Sequence, residues 1–425
     1  MSTPDPKRVA FLRSVEIERA APHIQQIEDV LRRAGAEARL YYTDGECAPG
    51  DFPGTAERVA RDLAPAAVAD RIRLWQPDAF VGISMRDENA LRDAVVAADL
   101  AEDGVSVVMH NPATTGILAN KAETKALLRR HGIAVPKDVP VDGDVIARRT
   151  VAVPAYIDHV AGRAADIGYP LLAKPLWESF STGIHYLANA DELRAYLHTV
   201  TSNMLLEQCL RGELCSVEIV GFDGSYGLRP LIWKGHTGGP PSFLFGGVRH
   251  AGRRPEAERD FMEVGTGLLK LCAELLVNGS VEVEMIYRDG RYYVIEINPR
   301  ISGTTLLSGV SSGHNTYKEL LEMALGIWPE HRDTSVGASR WAFEFPVTSL
   351  ADDALCVARA AIDVTRVGVL RVGGEEYGGN MVASCEFGGE ATFIESLRGL
   401  AAGHDLIGSR VLADIEEALQ PSLKV

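Results

Sequence analysis

Five side chains near one short stretch of this 425-residue chain are of types and spacings that can hold a cation and a phosphate together. In VEVEMIYRDGRYYVIEINPR, residues 281–300, Glu282 and Glu284 alternate with apolar residues, Glu296 and Asn298 alternate with isoleucines, and Arg300 follows in phase. Carboxylate and amide oxygens suit Mg²⁺, which fills its remaining positions with water and substrate phosphate oxygens, whereas zinc would want His or Cys. A guanidinium beside such a cation suits a phosphate. The bland reading is an antiparallel pair with one wet face, but like charges facing each other across strands are unfavourable unless something neutralises them.

Two registers are open to the hairpin. A two-residue turn at Asp289-Gly290 would pair Tyr287 with Tyr292 and Val283 with Glu296, placing Glu296 and Asn298 on the apolar side of the first strand. A three-residue loop, Arg288-Asp289-Gly290 with Gly290 left-handed, puts Glu282, Glu284, Glu296 and Asn298 on one face and the odd-numbered residues on the other. The second register keeps both hydrophobic patterns and is the expected one.

Other elements must carry this hairpin. Short apolar runs (RVAFLRSV, DAFVGIS, VSVVMH) alternate with amphipathic helical stretches, which reads as an open parallel α/β domain over residues 1–112. NKAETKALLRRHGIAVP reads as a helix ended by Gly132, followed by the strand GYPLLAKPL, a helix around ADELRAYLHTV and the strand MLLEQCL. Residues 113–206 and 207–325 are expected as two α+β subdomains, and 326–425 as a strand-rich C-terminal extension packing on the second. The glycine-rich loop 234–254 is long enough to be a lid, with Lys234, His236, Arg249 and His250 available to a substrate carboxylate or phosphate. Ser14 and Glu16 follow the first strand, where open α/β sheets bind ligands, and are expected to touch the first substrate.

With 43 Lys and Arg against 58 Asp and Glu, the formal charge is -15, which disfavours nucleic acid and anionic membranes as partners. The N-terminal residues carry no apolar signal core and no run approaches a membrane span, so a cytoplasmic location is expected. The six cysteines are scattered without a CxxC pair, and reduced thiols are expected.

VEVEMIYRDGRYYVIEINPRISG resembles the metal-binding hairpin of the ATP-grasp ligases. That resemblance implies Glu284, Glu296 and Asn298 as Mg²⁺ ligands and Arg300 as the group that steadies an acyl phosphate and tetrahedral intermediate. Glu282 stands where many relatives have a His, and its part is open. Further landmarks follow in the family's order. Lys121 in NKAETKALLRRHGIAVP and Lys174 in GYPLLAKPL resemble the two nucleotide lysines, although each alone reads as an ordinary solvated or strand-end lysine. Ser181, Thr182 and Gly183 in WESFSTGIHY resemble the small phosphate loop, and no Walker A pattern occurs. LLEQCLRGELCSVEI resembles the hinge that cups adenine, with Glu207 and the backbone at Gln208 and Leu210 as purine contacts. Glu213 is the candidate for the ribose hydroxyls, although the family usually has that acid one residue later, where this chain has Leu214.

The resemblance covers most of residues 1–320 and implies a two-lobed clamp on ATP. It also implies two Mg²⁺ ions, with Mn²⁺ as a substitute, and small-molecule carboxylate and amine substrates; a homodimer is compatible with it. The branch it most resembles is the carboxylate-amine ligases, among them L-amino acid ligases. There the γ-phosphoryl group moves to a carboxylate, giving ADP and an acyl phosphate that an amine attacks. Lys121 and Lys174 stabilise the transfer, and Arg300 with the backbone near Gly303 supports the oxyanion. The alternatives are an ATP-grasp carboxylase using bicarbonate and a non-catalytic ATP-binding protein.

Overall fold

A computed structural model describes residues 6–178, 182–237, 247–328, 337–372 and 375–423. Strands β1 (Lys7–Arg13), β2 (Ala36–Tyr42), β3 (Thr55–Arg58), β4 (Ala79–Gly82) and β5 (Ser106–Val108) form a parallel sheet in the order β3-β2-β1-β4-β5. β1 is central, so both of its faces are covered, as its unbroken apolar run requires. Ala10 and Leu12 face a core shared with the helices Pro65–Arg73 and Asp87–Glu102. Val9 and Phe11 face the opposite core, which contains Tyr317, Leu320 and Leu321 of the helix Thr316–Leu325. That helix follows the acidic hairpin in sequence and seals the N-terminal sheet, so the two parts are fixed against one another. Its stop is local: Gly326 takes φ +70°, the left-handed conformation that ends a helix.

A second, antiparallel sheet contains β6 (Asp138–Val141), β7 (Leu171–Pro175), β8 (His185–Leu187) and β9 (Met204–Gln208) in the order β6-β9-β7-β8. The third is nine-stranded. It contains β10 (Gly212–Phe222), β11 (Ser225–Leu228), β12 (Ile232–Thr237), β13 (Arg249–Ala251), β14 (Gly279–Arg288), β15 (Arg291–Asn298), β16 (Trp341–Val347), β17 (Asp363–Val372) and β18 (Glu375–Cys385). Its order is β15-β14-β10-β12-β13-β16-β18-β17, with β11 paired to β10. The C-terminal strands thus extend the same sheet through the β13–β16 pairing, where Arg249 stands opposite Glu344.

The hairpin corrects the expected register. Arg288 pairs with Arg291, leaving Asp289 (φ +50°) and Gly290 (φ +72°) as a two-residue turn, and both positive φ values are those of type I′. The three-residue loop is not formed. The ladder shifts between Glu284 and Met285: Met285 pairs with Val294, but Glu284 pairs with Glu296, so Ile295 is an extra residue on β15. This bulge returns Glu296 and Asn298 to the face of Glu284 and Glu282. The expected face is reached by a different device. On the other face Val281, Val283, Met285 and Ile297 pack in a core with Phe261, Leu268 and Leu271 of the helix Pro255–Glu274.

None of the six cysteines is disulfide-bonded. Among the described residues no helix is long and apolar enough to cross a membrane.

Candidate active site

Glu284 and Glu296 stand directly opposite across the hairpin, and Glu282 stands opposite Asn298. Two lysines meet these acids. Nζ of Lys234, on β12, donates to Glu282 at 2.8 Å and to Glu284 at 2.7 Å. Nζ of Lys121 lies 3.4 Å from Glu296 and donates to the carbonyl of Glu178 at 3.0 Å. Lys121 occupies the first position of the helix Lys121–Arg130 because Asn120 caps it, its side chain accepting from the N–H groups of Ala122 and Glu123. The cap fixes where the lysine emerges.

Charge is divided unevenly over the cluster. Burial alone would raise Glu282, but Lys234 and the Thr304 hydroxyl hold its carboxyl down at about 2. Thr304 donates to it at 2.8 Å and Asn298 Nδ2 lies at 3.4 Å. Glu282, whose part was open, is thus a saturated anchor for Lys234 and Thr304. Burial pushes Glu284 above the usual carboxylate range, with Glu282 and Glu296 adding to the effect against Lys234. Burial also acts to raise Glu296, but Lys121, Lys174 and Arg300 outweigh it and hold it below that range.

Arg300 is buried. Its Nη2 donates to Asn298 Oδ1 at 3.0 Å and its Nε to Asp87 Oδ1 at 3.1 Å. Asp87 opens the helix Asp87–Glu102, so the N-terminal domain orients the arginine at the hairpin's exit. Burial raises the Asp87 carboxyl, opposed by Arg300 and Lys121.

Lys174 on β7 donates to Glu207 Oε1 at 2.5 Å, and Lys125 bonds the other oxygen of the same carboxylate. Burial acts to raise Glu207, but the two ammonium groups outweigh it and hold it low. Lys125 itself is lowered by burial, whereas in Lys174 the attraction of Glu207, Glu296 and Glu284 prevails and raises it. The Glu207 side chain, expected at the purine, is committed to positioning Lys174. The Gln208 N–H donates to Lys137 O at 2.9 Å, and Leu210 O accepts from the Thr237 hydroxyl at 2.7 Å. Gly183 has φ +74°, where L side chains are strained, and Thr182 precedes it. Ser181 lies outside the described residues, as do residues 238–246 of the expected lid.

Strand alternation separates other expected residues from this face. Glu213 is paired with Tyr287 and His236, in phase with Cys215 and Met285 on the opposite side of the sheet. Both its oxygens accept from Arg254, at 2.6 and 3.0 Å, and that guanidinium lies 3.7 Å over Trp233. The ribose assignment of Glu213 is therefore corrected: parity turns it away from Glu284, and Arg254 occupies it. His236 shares that side. His250 does too, paired with Trp233 and stacked on Phe343 at 5.9 Å, and burial lowers it to about 3. His236 and His250 are corrected likewise, whereas Lys234 and Arg249 do face the hairpin acids. Ser14 and Glu16 line a cavity of about 320 Å³ with Arg19, Asp44, Arg61 and Asn89. Ser14 also donates to Met85 O at 3.2 Å. Gly303 lies beside it: a Cβ built there would be 3.6 Å from Arg249 Nη1 and 3.7 Å from Arg19 Nη2.

Among the described residues no group of three or more His, Cys, Asp or Glu is gathered as a metal cluster. The donor set nevertheless fits a cation that brings its own ligands, since Mg²⁺ is commonly held by one or two carboxylates plus substrate phosphates. Glu284 and Glu296 supply those oxygens, and the ammonium groups against them mark where positive charge is favoured.

Sequence reading missed Lys125 and Asp87. Lys125 had a signal: it lies four residues after Lys121, on the same helical face. Asp87 had none, being 213 residues from Arg300.

Residues 118–304 match the family described as ATP-grasp domain. Over 315 residues the chain is 25% identical to the carbamoyl phosphate synthase large chain of Deinococcus radiodurans, covering 70% of this chain and 28% of that protein. The chain thus spans under a third of that relative's length. The fold is similar to the L-amino acid ligase of Bacillus licheniformis, with a TM-score of 0.67 at 20% identity, covering 93% of this chain and 98% of that one. It is similar also to N5-carboxyaminoimidazole ribonucleotide synthetase from Thermus thermophilus, with a TM-score of 0.66 at 15% identity, covering 92% and 98%. The two lysines, the acidic hairpin and the arginine at its exit all fall within the matched residues or bear on them, and residues 118–304 are an ATP-grasp domain.

Proposed function

We propose that this chain is an ATP-dependent carboxylate-amine ligase that joins amino-acid-like substrates through an acyl phosphate and releases ADP and phosphate. The observation that carries the reading is the convergence of Lys121, Lys174 and Arg300 on the face where Glu284 and Glu296 stand opposite. A carboxylate is a poor electrophile at neutral pH, so its oxygen must first take a phosphoryl group. Mg²⁺, when bound at Glu284 and Glu296 with Asn298 beside them, would offset the charge on the phosphates. Lys121 and Lys174 hold positive charge on the phosphate path by position, Lys174 fixed by Glu207. Arg300, aimed by Asp87 and Asn298, is placed to take the oxyanion that forms when the amine adds.

Phosphate release measured over pairs of amino acids, with mass spectrometry of the product, tests the reading. ADP is the expected nucleotide product, and AMP would rule out an acyl phosphate route. A second reading is a bicarbonate-dependent carboxylase, favoured by the likeness in fold to a biotin carboxylase domain bound to bicarbonate, with a TM-score of 0.64 at 13% identity. It predicts ADP release that responds to bicarbonate and not to amino acids.

A further inference from the structure

The face that carries the hairpin acids continues across the sheet into a row of charges that the proposed chemistry has not used. Arg249 on β13 pairs with Glu344 on β16, Glu344 with Val382 on β18, and Val382 with Arg366 on β17, so all four point the same way. Arg366 Nη2 donates to Glu344 Oε1 at 3.2 Å and to Asn380 Oδ1 at 3.2 Å, and Arg249 Nη1 lies 3.5 Å from Glu344 Oε2. Arg366 Nη1 also donates to the carbonyl of Arg19 at 3.3 Å, which brings the N-terminal domain onto this row. Arg19 adds a third guanidinium. Its Nη1 is shut off from solvent and has no hydrogen-bond partner, while its Nη2 approaches Gly303.

Three guanidinium groups thus surround one carboxylate, Glu344, beside the loop that follows Arg300. Burial, and then Arg366, lower Arg19 to about 10 against the pull of Glu344 and Glu16. Arg19 also lines the cavity of about 320 Å³ beyond β1 together with the acids Glu16, Asp44 and Glu88, and the buried Oε2 of Glu16 has no hydrogen-bond partner. Leaving a buried guanidinium nitrogen unpaired is unfavourable, and a planar carboxylate is the group whose geometry matches it.

We infer that Arg19, with Arg366 and Arg249, seats the carboxylate of the amine substrate, so that the amine is itself an amino acid and the C-terminal strands help to select it. This rests on the ligase reading. The carboxylate that is phosphorylated belongs to the other substrate and faces Arg300; the seat at Arg19 is for an anion that does not react.

The test uses the full chain, ATP and Mg²⁺, with the acid substrate found by the phosphate-release screen. Three forms of one amine are compared: the free amino acid, its carboxamide and its aminophosphonate. The wild type should prefer the free acid to the carboxamide by about 100-fold in kcat/KM. Arg19→Leu and Arg366→Leu should bring that ratio towards one without changing the KM for ATP, and Arg19→Lys should give an intermediate ratio. A wild type indifferent to the carboxamide would overturn the inference even if a variant failed to fold. So would an active Arg19→Leu enzyme with an undiminished ratio, and preference for the aminophosphonate would overturn the choice of carboxylate. If no amine of any form stimulates ADP formation, the ligase reading itself falls, an outcome distinct from turnover without discrimination.

Discussion

Glu284 and Glu296 face one another across the β14–β15 pair, in register because Ile295 is bulged out of the ladder. Two carboxylates directly opposite are unfavourable in an ordinary sheet. Here Lys234 holds one and Lys121 the other, so the repulsion is offset at rest and available to a stronger cation.

Glu296→Gln should keep the hairpin, since the amide preserves shape, but should weaken Mg²⁺ binding and the hold on Lys121. Turnover is expected to fall by roughly 100-fold or more, with the loss deepest at limiting Mg²⁺. Steady-state rates across a Mg²⁺ titration decide it, and a near-normal rate at limiting Mg²⁺ would refute the metal assignment.

Alternation of apolar residues was enough to show that Glu282, Glu284, Glu296 and Asn298 share a face, because burial of the other face enforces parity. It could not show how parity is restored, since a three-residue loop and a two-residue turn with a bulge give the same result. The helix that begins at Lys121 was legible down to its end before Gly132, which takes φ +71°. Glu213 and His250 were misread because their neighbours in sequence resemble a binding segment, whereas a strand sends alternate residues to opposite sides. The Asp87–Arg300 pair joins two domains, and no local pattern encodes it.

Lys234→Met should separate stability from cation binding. Removing one partner of a buried ion pair is strongly destabilising, on the order of 3 kcal/mol, and here two carboxylates are left. Mg²⁺ with a non-hydrolysable ATP analogue should restore much of the loss, so the ligand-induced rise in Tm should be larger in the variant than in the wild type. Equal rises in both proteins would mean that Lys234 and the cation do not share the site.

Glu207→Gln removes the one negative charge between two buried lysines. Lys125 and Lys174 would then repel each other without compensation, a cost of roughly 3–5 kcal/mol in urea denaturation. Lys174 should also leave its position, raising the KM for ATP. Unchanged stability together with unchanged ATP affinity would show that Glu207 does not position the lysine.

His110 gives the fold a predictable response to acid. It is buried, its Nδ1 accepts from the N–H of Asn278 at 3.1 Å, and its Nε2 is 3.2 Å from Ser280 O. The ring is therefore neutral with its proton on Nε2, and a second proton on Nδ1 would point at a donor. Burial lowers it from 6.5 to about 4, and His23 shifts the same way, also to about 4. A histidine whose pKa is depressed on folding stabilises fully above the unfolded value. The unfolded chain takes up the proton first, so that stability is lost as pH falls from about 6.5 to about 4, on the order of 3 kcal/mol for His110 alone. Denaturation midpoints across that window should show a His110→Gln variant with a shallower pH slope than the wild type, by close to one proton. An identical slope would mean that the imidazole is not held neutral against Asn278.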